Sequence, residues 1–226
     1  MIRSVFVVIF LFCQTVLHAQ HTYQFGILPA FNVNTKLAEN WKINFKAESR
    51  QLLREGQFRE DADYQYRYVL TDLALVAATR VSVNHTLGMG YQLRLREGAS
   101  IHRLIQQFAI TQRFSALRLG HRLASDQSVQ SGAPALVRLR YRLAAELPLS
   151  GQAVDSREAY IKLSNEYLNQ FQGDDYDLEI RVVPVIGYVF TDANKLEFGL
   201  DYRVDRLFED ARRSRFWVAV NWYVIL

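Results

Sequence analysis

Three arginines at alternate positions form the densest charge cluster in this sequence, and they point to chemistry with anions. Arg138, Arg140 and Arg142 are separated by single apolar residues. In an extended strand alternate side chains share one face, so the three guanidinium groups would lie together. Such a row of like charges repels itself unless carboxylates or a bound anion balance it. Arg94 and Arg122 occupy the same polar phase in other segments, and we group all five as candidate ligand-binding residues.

Two interpretations of this arginine-rich face remain open from the sequence. In the first the face is structural, because the interior of a small barrel is filled by side chains and opposite charges neutralise each other there. In the second the arginines line a basic pore or pocket that attracts small anionic solutes. The carboxylates that share the polar phase are Glu48, Glu146, Glu166, Glu179, Glu197, Asp201 and Asp205.

The segments that carry these residues show a two-residue rhythm over almost the whole chain. From Arg80 to Arg96 the odd positions are mostly apolar, and the even positions are polar, basic or glycine. A strand that is longer than an ordinary globular strand, with one apolar and one polar face, suits a wall between lipid and water. We therefore predict an all-β fold, an antiparallel transmembrane β-barrel in the outer membrane of a Gram-negative bacterium.

Eleven windows show the strand pattern, whereas bacterial single-chain barrels have even numbers of strands. The windows are 22–33, 41–52, 63–77, 80–95, 102–113, 116–126, 135–147, 158–169, 177–190, 195–206 and 214–226. The turn lengths also send the first window inward from outside, which conflicts with a periplasmic start. We expect 10–12 strands, with twelve slightly favoured. Asp72 interrupts the third window, and we expect a bulge there.

The first 19 residues have the features of a secretory signal peptide. Arg3 supplies a positive start, and the apolar stretch Val5–Leu17 is too short to span a bilayer as a helix. Residues 20–226 would then form a single barrel domain. Cys13 is the only cysteine, so its removal with the signal excludes disulfides and cysteine-ligated metal sites.

Charge composition limits the partners of this chain. It has 27 basic and 23 acidic residues, and these are interleaved, which argues against nucleic acid. The expected partners are the lipid bilayer, the outer-membrane assembly machinery, which reads an apolar-alternating last strand such as 214–226, and small anionic solutes. We expect no cofactor. The acidic runs at 60–63 and 174–177 lack a full calcium-binding loop, so we name no metal ligand.

A membrane-embedded, lipid-modifying enzyme is a rival class, and a plugged barrel that serves as an envelope scaffold is another. His85, His102 and His121 are the candidate bases, but all three lie on the apolar phase. Ser82 and Asn84 are expected on the opposite face from His85. Neither a Gly-x-Ser-x-Gly elbow nor a His-Glu-x-x-His helix is present, so we name no catalytic residue and expect no enzyme.

Several short motifs resemble a known family. They are Trp41 followed by Glu48-x-Arg50, Gly88-Met89-Gly90-Tyr91, Gln106-Gln107, His121-Arg122-Leu123 and Arg138-Leu139-Arg140-Tyr141-Arg142. These motifs are similar to those of the domain-of-unknown-function 2490 family of outer-membrane β-barrel proteins. The resemblance covers nearly the whole chain after the signal peptide and implies the barrel fold and the location. It carries no established activity and no catalytic residue.

Overall fold

The chain forms a closed barrel of eleven strands in a computed structural model that describes residues 22–58, 63–209 and 211–226. The strands are β1 (Thr22–Lys36), β2 (Trp41–Gln57), β3 (Asp63–Arg80), β4 (His85–Arg96), β5 (Ala99–Phe114), β6 (Leu117–Val129), β7 (Leu136–Pro148), β8 (Ala159–Gln172), β9 (Asp175–Thr191), β10 (Asn194–Asp205) and β11 (Arg213–Ile225). Within these ranges no helix is long and apolar enough to cross a membrane. The expected signal peptide, residues 1–19, lies outside them.

The barrel closes between its first and last strands, and this closing pair is parallel. Each strand otherwise pairs antiparallel with its neighbours in sequence. Because every hairpin reverses the chain direction, an odd number of strands leaves the first and last running the same way. The pairing extends from Thr22 opposite Arg213 to Asn34 opposite Ile225. The expected range of 10–12 strands is confirmed, although the barrel has eleven strands and twelve were slightly favoured. The odd number of windows in the sequence is accommodated because the closing pair is parallel.

Two ends of the barrel follow from this topology. We call the end at which β1 and β11 begin the N-end, and the end at which they finish the C-end. The connections at the C-end are 37–40, 81–84, 115–116, 149–158 and 192–193, and those at the N-end include 97–98, 130–135, 173–174 and 206–212. Gly98 is the second residue of the turn 97–98 and Gly173 the first residue of the turn 173–174, and their φ of +71° and +61° are adopted by glycine at low cost.

Charged side chains are buried inside the barrel, and apolar side chains cover its outer face. On β10, Glu197 and Arg203 are only 1% and 2% exposed, whereas Phe198 is 54% exposed. The same alternation recurs around the barrel. Large apolar side chains exposed on the outer face include Leu87, Met89, Leu104, Leu123, Leu139, Leu163, Ile186 and Trp222. The polar phase read from the sequence is therefore the inner face.

Glycines on the inner face allow opposite side chains to cross the neighbouring strand. The pairs that lie directly opposite are Gly26 with Trp217, Gly88 with Gln107, Gly90 with Val76, Gly187 with Tyr160 and Gly199 with Val185. A Cβ on any of these glycines would lie 2.2 to 2.9 Å from the side chain that crosses it. Glycine within a strand often marks such a close approach.

An apolar cluster lies inside the closing seam. Trp217 of β11 crosses Gly26 of β1, and the buried members of the cluster are Leu28, Leu52, Trp217 and Ala219. Val69 packs against them and is the extra residue where the register of β2 and β3 slips. The bulge expected at Asp72 is therefore three residues earlier. Asp72 itself is buried on the inner face.

Candidate functional site

A fully buried carboxylate on β6 holds three arginines on the inner face. Asp126 has 0% exposure and lies directly opposite Arg138 of β7. The Nε of Arg138 donates to Asp126 Oδ1 at 2.7 Å, and Arg140 Nη2 lies 2.6 Å from Oδ2. Arg103 of β5 approaches Oδ1 at 3.3 Å. Ion pairing offsets the desolvation cost of a buried carboxylate, and here three guanidinium groups surround one carboxylate.

A second buried carboxylate, on β8, contacts the rest of the same group. Glu166 is 2% exposed and lies opposite Arg142, whose Nε donates to it at 2.6 Å. Arg140 Nη1 is 3.6 Å from Glu166, and Arg122 Nη2 is 3.9 Å away. We call Arg103, Arg122, Arg138, Arg140 and Arg142 the arginine cluster. Its five guanidinium groups share two buried carboxylates.

The cluster continues into a row of directly opposite residues across six strands. From β6 to β11 these are Arg122, Arg142, Glu166, Arg181, Arg203 and Arg215. Like charges that face each other across strands are destabilising, so carboxylates must compensate. Asp201 accepts two hydrogen bonds from Arg203, at 2.8 and 2.7 Å. Glu179 accepts from Arg181 and from Arg215. Within the described ranges, the carboxylate that contacts the β6–β7 part of the row, Arg122 and Arg142, is Glu166.

Two cavities occupy the lumen, one towards each end. The C-end cavity has a volume of about 460 Å³ and is lined by eleven arginine and lysine side chains and three carboxylates. Asp126 and Glu166 lie behind this lining. The N-end cavity, of about 730 Å³, is lined by eight arginines and five carboxylates. Arginines that line both cavities are Arg50, Arg94, Arg138, Arg181 and Arg203. The excess of positive charge is therefore greatest in the C-end cavity.

All five residues proposed from the sequence as ligand-binding line the C-end cavity. They are Arg94, Arg122, Arg138, Arg140 and Arg142. Arg94 donates its Nε and Nη2 to Asp72 of β3, at 2.7 Å each. Sequence reasoning did not identify two carboxylates that hold these arginines. Asp72 looked like an interruption of the alternation in the third window, and Asp126 was the last residue of the sixth window. The signal for Asp126 was present, since it continues the even-numbered phase of Arg118 and Arg122.

A third buried carboxylate, near the C-end, is fully engaged by the protein. Glu197 accepts a hydrogen bond from the hydroxyl of Tyr160 at 2.6 Å and contacts Lys162 Nζ with both oxygens, also at 2.6 Å. Tyr223 donates to it at 3.2 Å. Tyr160 reaches Glu197 by crossing Gly187 of β9, which lies between them. This cluster braces β8, β10 and β11.

Gly187→Ala should destabilise the barrel by about 1–3 kcal/mol, because the added Cβ overpacks the site. It would lie 2.2 Å from Tyr160 Cζ, so the ring must move away from Glu197. Urea unfolding of the refolded barrel in lipid vesicles measures the loss. In a Tyr160→Ala background the same substitution should cost less than about 0.5 kcal/mol, since the colliding ring is absent. Equal costs in both backgrounds would contradict this packing.

The three candidate histidines lie on the outer face, and each contacts a hydroxyl group. His102 pairs with Tyr91 and His121 with Tyr141. His85 Nδ1 lies 3.0 Å from Ser82 Oγ. The expected separation of these two residues is wrong, because β4 begins at His85 and Ser82 belongs to the turn 81–84. In a catalytic pair a third, hydrogen-bonding group also orients the base. The His85 ring stacks on the apolar ring of Phe108, which cannot orient it by hydrogen bonding.

The second acidic run lies at the N-end, where β9 begins at Asp175. Asp177, in the second run, accepts the backbone N–H of Arg206 at 3.0 Å. Residues 60–62 of the first run lie outside the described ranges. Among the described residues, no group of three histidine, cysteine, aspartate or glutamate side chains is placed to hold a metal ion.

Similarity to known proteins identifies the family. A family model described as "Protein of unknown function (DUF2490)" matches residues 25–215, which begin within β1 and end within β11. No curated protein and no solved structure matches the chain. Because the matched segment covers most of the sequence, the protein belongs to the DUF2490 family of proteins of unknown function.

Proposed function

We propose that the protein is an outer-membrane β-barrel whose cationic lumen conducts small anions. The lining of the C-end cavity carries the argument, with eleven cationic side chains and three carboxylates. Even with Asp126 and Glu166 included, the cations outnumber the anions by more than two to one. A lumen lined in this way raises the local concentration of anions and disfavours cations.

The outer face supports a membrane location. Exposed apolar side chains alternate with buried charged ones, the reverse of the arrangement in a soluble barrel. The strands contain 12 to 18 residues. A 13-residue strand tilted by about 40° rises roughly 33 Å, which matches a hydrocarbon core about 30 Å thick. The signal peptide expected over residues 1–19 would direct export.

Aromatic side chains on the outer face occur near both ends of the barrel. At the N-end, Tyr23, Phe25, Tyr64 and Phe216 line one shallow groove. Near the C-end, Phe31 and Trp222 pack edge to face with ring centroids 5.7 Å apart, and Trp41 begins β2. Aromatic belts at the two membrane surfaces are typical of outer-membrane barrels.

The path through the lumen would run between the two cavities. Arginines that line both cavities form the boundary between them. Each of these arginines pairs with a carboxylate on its own strand or on an adjacent one. An anion that leaves one cavity would therefore meet guanidinium groups before it enters the next. Arg122 is the least constrained member of the arginine cluster, since its contact with Glu166 is long, at 3.9 Å.

Single-channel recording from the refolded protein in planar bilayers tests this function. We expect an anion-selective current, measured as the reversal potential in a KCl gradient. Arg122→Glu should lower the anion-to-cation permeability ratio several-fold. The same charge reversal at Arg157, in the exposed connection 149–158, should change it little, because solvent and salt screen that position. A barrel that is folded by heat-modifiable migration but carries no current, or a cation-selective one, would overturn the proposal and favour a plugged scaffold.

A further inference from the structure

We propose that the C-end cavity binds an organic phosphate, with the phosphate on Arg122, Arg140 and Arg142 and the organic part on an apolar wall. This inference deepens the proposed function and rests on its cationic lumen. It does not require that the bound solute crosses the barrel. The argument has three parts: a local excess of charge, guanidinium groups left with free donors, and an apolar surface in the same cavity, adjoining these groups.

The charge excess is local to the arginine cluster. Among the described residues, the carboxylates that these five guanidinium groups contact are Asp126 and Glu166, which leaves three positive charges without a carboxylate partner in the cluster. Arg122 and Arg142 are also directly opposite each other on β6 and β7, where like charges destabilise pairing. A ligand with two or more negative charges would compensate this excess, and a monovalent ion would do so only in part.

The donors of the cluster are not all used by the protein. Arg122 has one ion-pair contact within the described part of the chain, at 3.9 Å from Glu166, and its side chain is 33% exposed towards the cavity. Arg140 also lines the cavity, and its Nη1 lies 3.6 Å from Glu166, beyond hydrogen-bond distance. Guanidinium groups bind phosphate oxygens through paired, charge-assisted hydrogen bonds. Two arginines with donors to spare, on adjacent strands, therefore suit a phosphate group.

Part of the cavity wall beside the arginine cluster is apolar. Small and branched side chains from β3, β5 and β6 line it: Ala74, Val76, Ala78, Ile105 and Ala124. Ala124 lies directly opposite Arg140, so this surface adjoins the guanidinium groups. The glycines of β4 keep this wall flat, because Val76 crosses Gly90 and Gln107 crosses Gly88. If an inorganic anion occupied the site, the apolar surface would remain in contact with water. A ligand with a phosphate at one end and an apolar or ring-shaped body at the other would cover both walls.

The size of the cavity agrees with such a ligand. Its volume of about 460 Å³ lies within the range of roughly 300–1,000 Å³ that small-molecule sites occupy. Chloride or a single phosphate ion would fill only a small part of it. The combination of a cationic wall, an apolar wall and this volume favours a phosphorylated small molecule over a simple inorganic ion.

Isothermal titration of the refolded, full-length protein in detergent micelles tests the proposal with three probes. Phenyl phosphate carries both features, inorganic phosphate lacks the ring, and benzoate carries the ring with a single charge. At pH 8, where a phosphate monoester is doubly charged, we expect phenyl phosphate to bind at least tenfold more tightly than either of the others. Equal affinity for phenyl phosphate and inorganic phosphate, or for phenyl phosphate and benzoate, would overturn it.

Matched variants locate the site. Arg122→Gln should weaken phenyl phosphate binding at least tenfold, whereas Arg118→Gln, on the same face of β6 but paired with Glu146 outside the cavity lining, should change it less than twofold. Ile105→Thr should reduce the difference in affinity between phenyl phosphate and inorganic phosphate, because it makes the apolar surface more polar. Unchanged binding in Arg122→Gln would overturn the proposal. If the protein conducts anions but does not bind phenyl phosphate, this inference is wrong and the proposed function stands. If it binds phenyl phosphate but conducts no anions, the proposed function is wrong and this inference stands.

Discussion

Asp126→Asn should destabilise the barrel by about 3–5 kcal/mol, the cost of removing one partner from a buried ion pair. Asp126 has 0% exposure and is contacted by Arg103, Arg138 and Arg140 at 2.6 to 3.3 Å. The amide keeps the shape of the carboxylate but not its charge. Three guanidinium groups would then face a neutral amide, and of these Arg140 keeps its 3.6 Å contact with Glu166.

The unfolding midpoint in urea, recorded for the barrel in lipid vesicles, measures this loss. Glu146→Gln is the matched control, because it removes a carboxylate from the same wall of the lumen. Its partner Arg118 lies 3.0 Å away with a side chain that is 50% exposed. A solvent-exposed pair contributes about 0–1 kcal/mol. Similar losses in the two variants would show that Asp126 does not hold the arginine cluster.

Gly26→Ala should prevent normal closure of the barrel, with a loss of at least about 3 kcal/mol from overpacking. The added Cβ would lie 2.2 Å from the backbone oxygen of Gln51 and 2.7 Å from the ring of Trp217. A backbone oxygen within a paired strand has little freedom to move. Trp217 is also held, because it packs into the apolar cluster of the seam. The collision therefore displaces β1 from both of its neighbours, β2 and its parallel partner β11.

The fraction of protein in the heat-modifiable, folded form and the unfolding midpoint report this effect. Gly120→Ala is the matched control, since Gly120 lies on the inner face of β6 and has open space where a Cβ would be added. That substitution should change stability by less than about 1 kcal/mol, in the stabilising direction, because alanine restricts the unfolded chain. A loss in Gly120→Ala as large as that in Gly26→Ala would attribute the effect to glycine in general rather than to the seam.

Strand positions and the direction of side chains could be read from the sequence to a large extent. In β10 the apolar residues Leu196, Phe198 and Leu200 alternate with Glu197 and Gly199, and the structure places the two sets on opposite faces. This works because side-chain direction in a strand depends on the local backbone, which repeats every two residues. Several windows were shorter than the strands, because the strands extend into segments that looked like connections. Examples are the start of β5 at Ala99 and the end of β6 at Val129.

The parallel closure could have been derived from the odd number of windows, but the even-number rule for bacterial barrels argued against it. Which residues support that closure was not visible in the sequence. Trp217 reads as an ordinary strand residue, and only the register of β1 with β11 places it over Gly26. Register between strands far apart in the chain depends on packing around the whole barrel, and no local pattern encodes it.

The sequence by itself determined that the arginines share one face with many carboxylates, and the five candidate residues indeed line one cavity. Which carboxylate balances which arginine was decided by the tertiary structure alone. Asp126 meets Arg138 because β6 and β7 pair in one register, and Glu166 meets Arg142 because β7 and β8 pair in another. Alternation is a property of a single strand, whereas the net charge of a cavity is a sum over strands that only the closed barrel brings together.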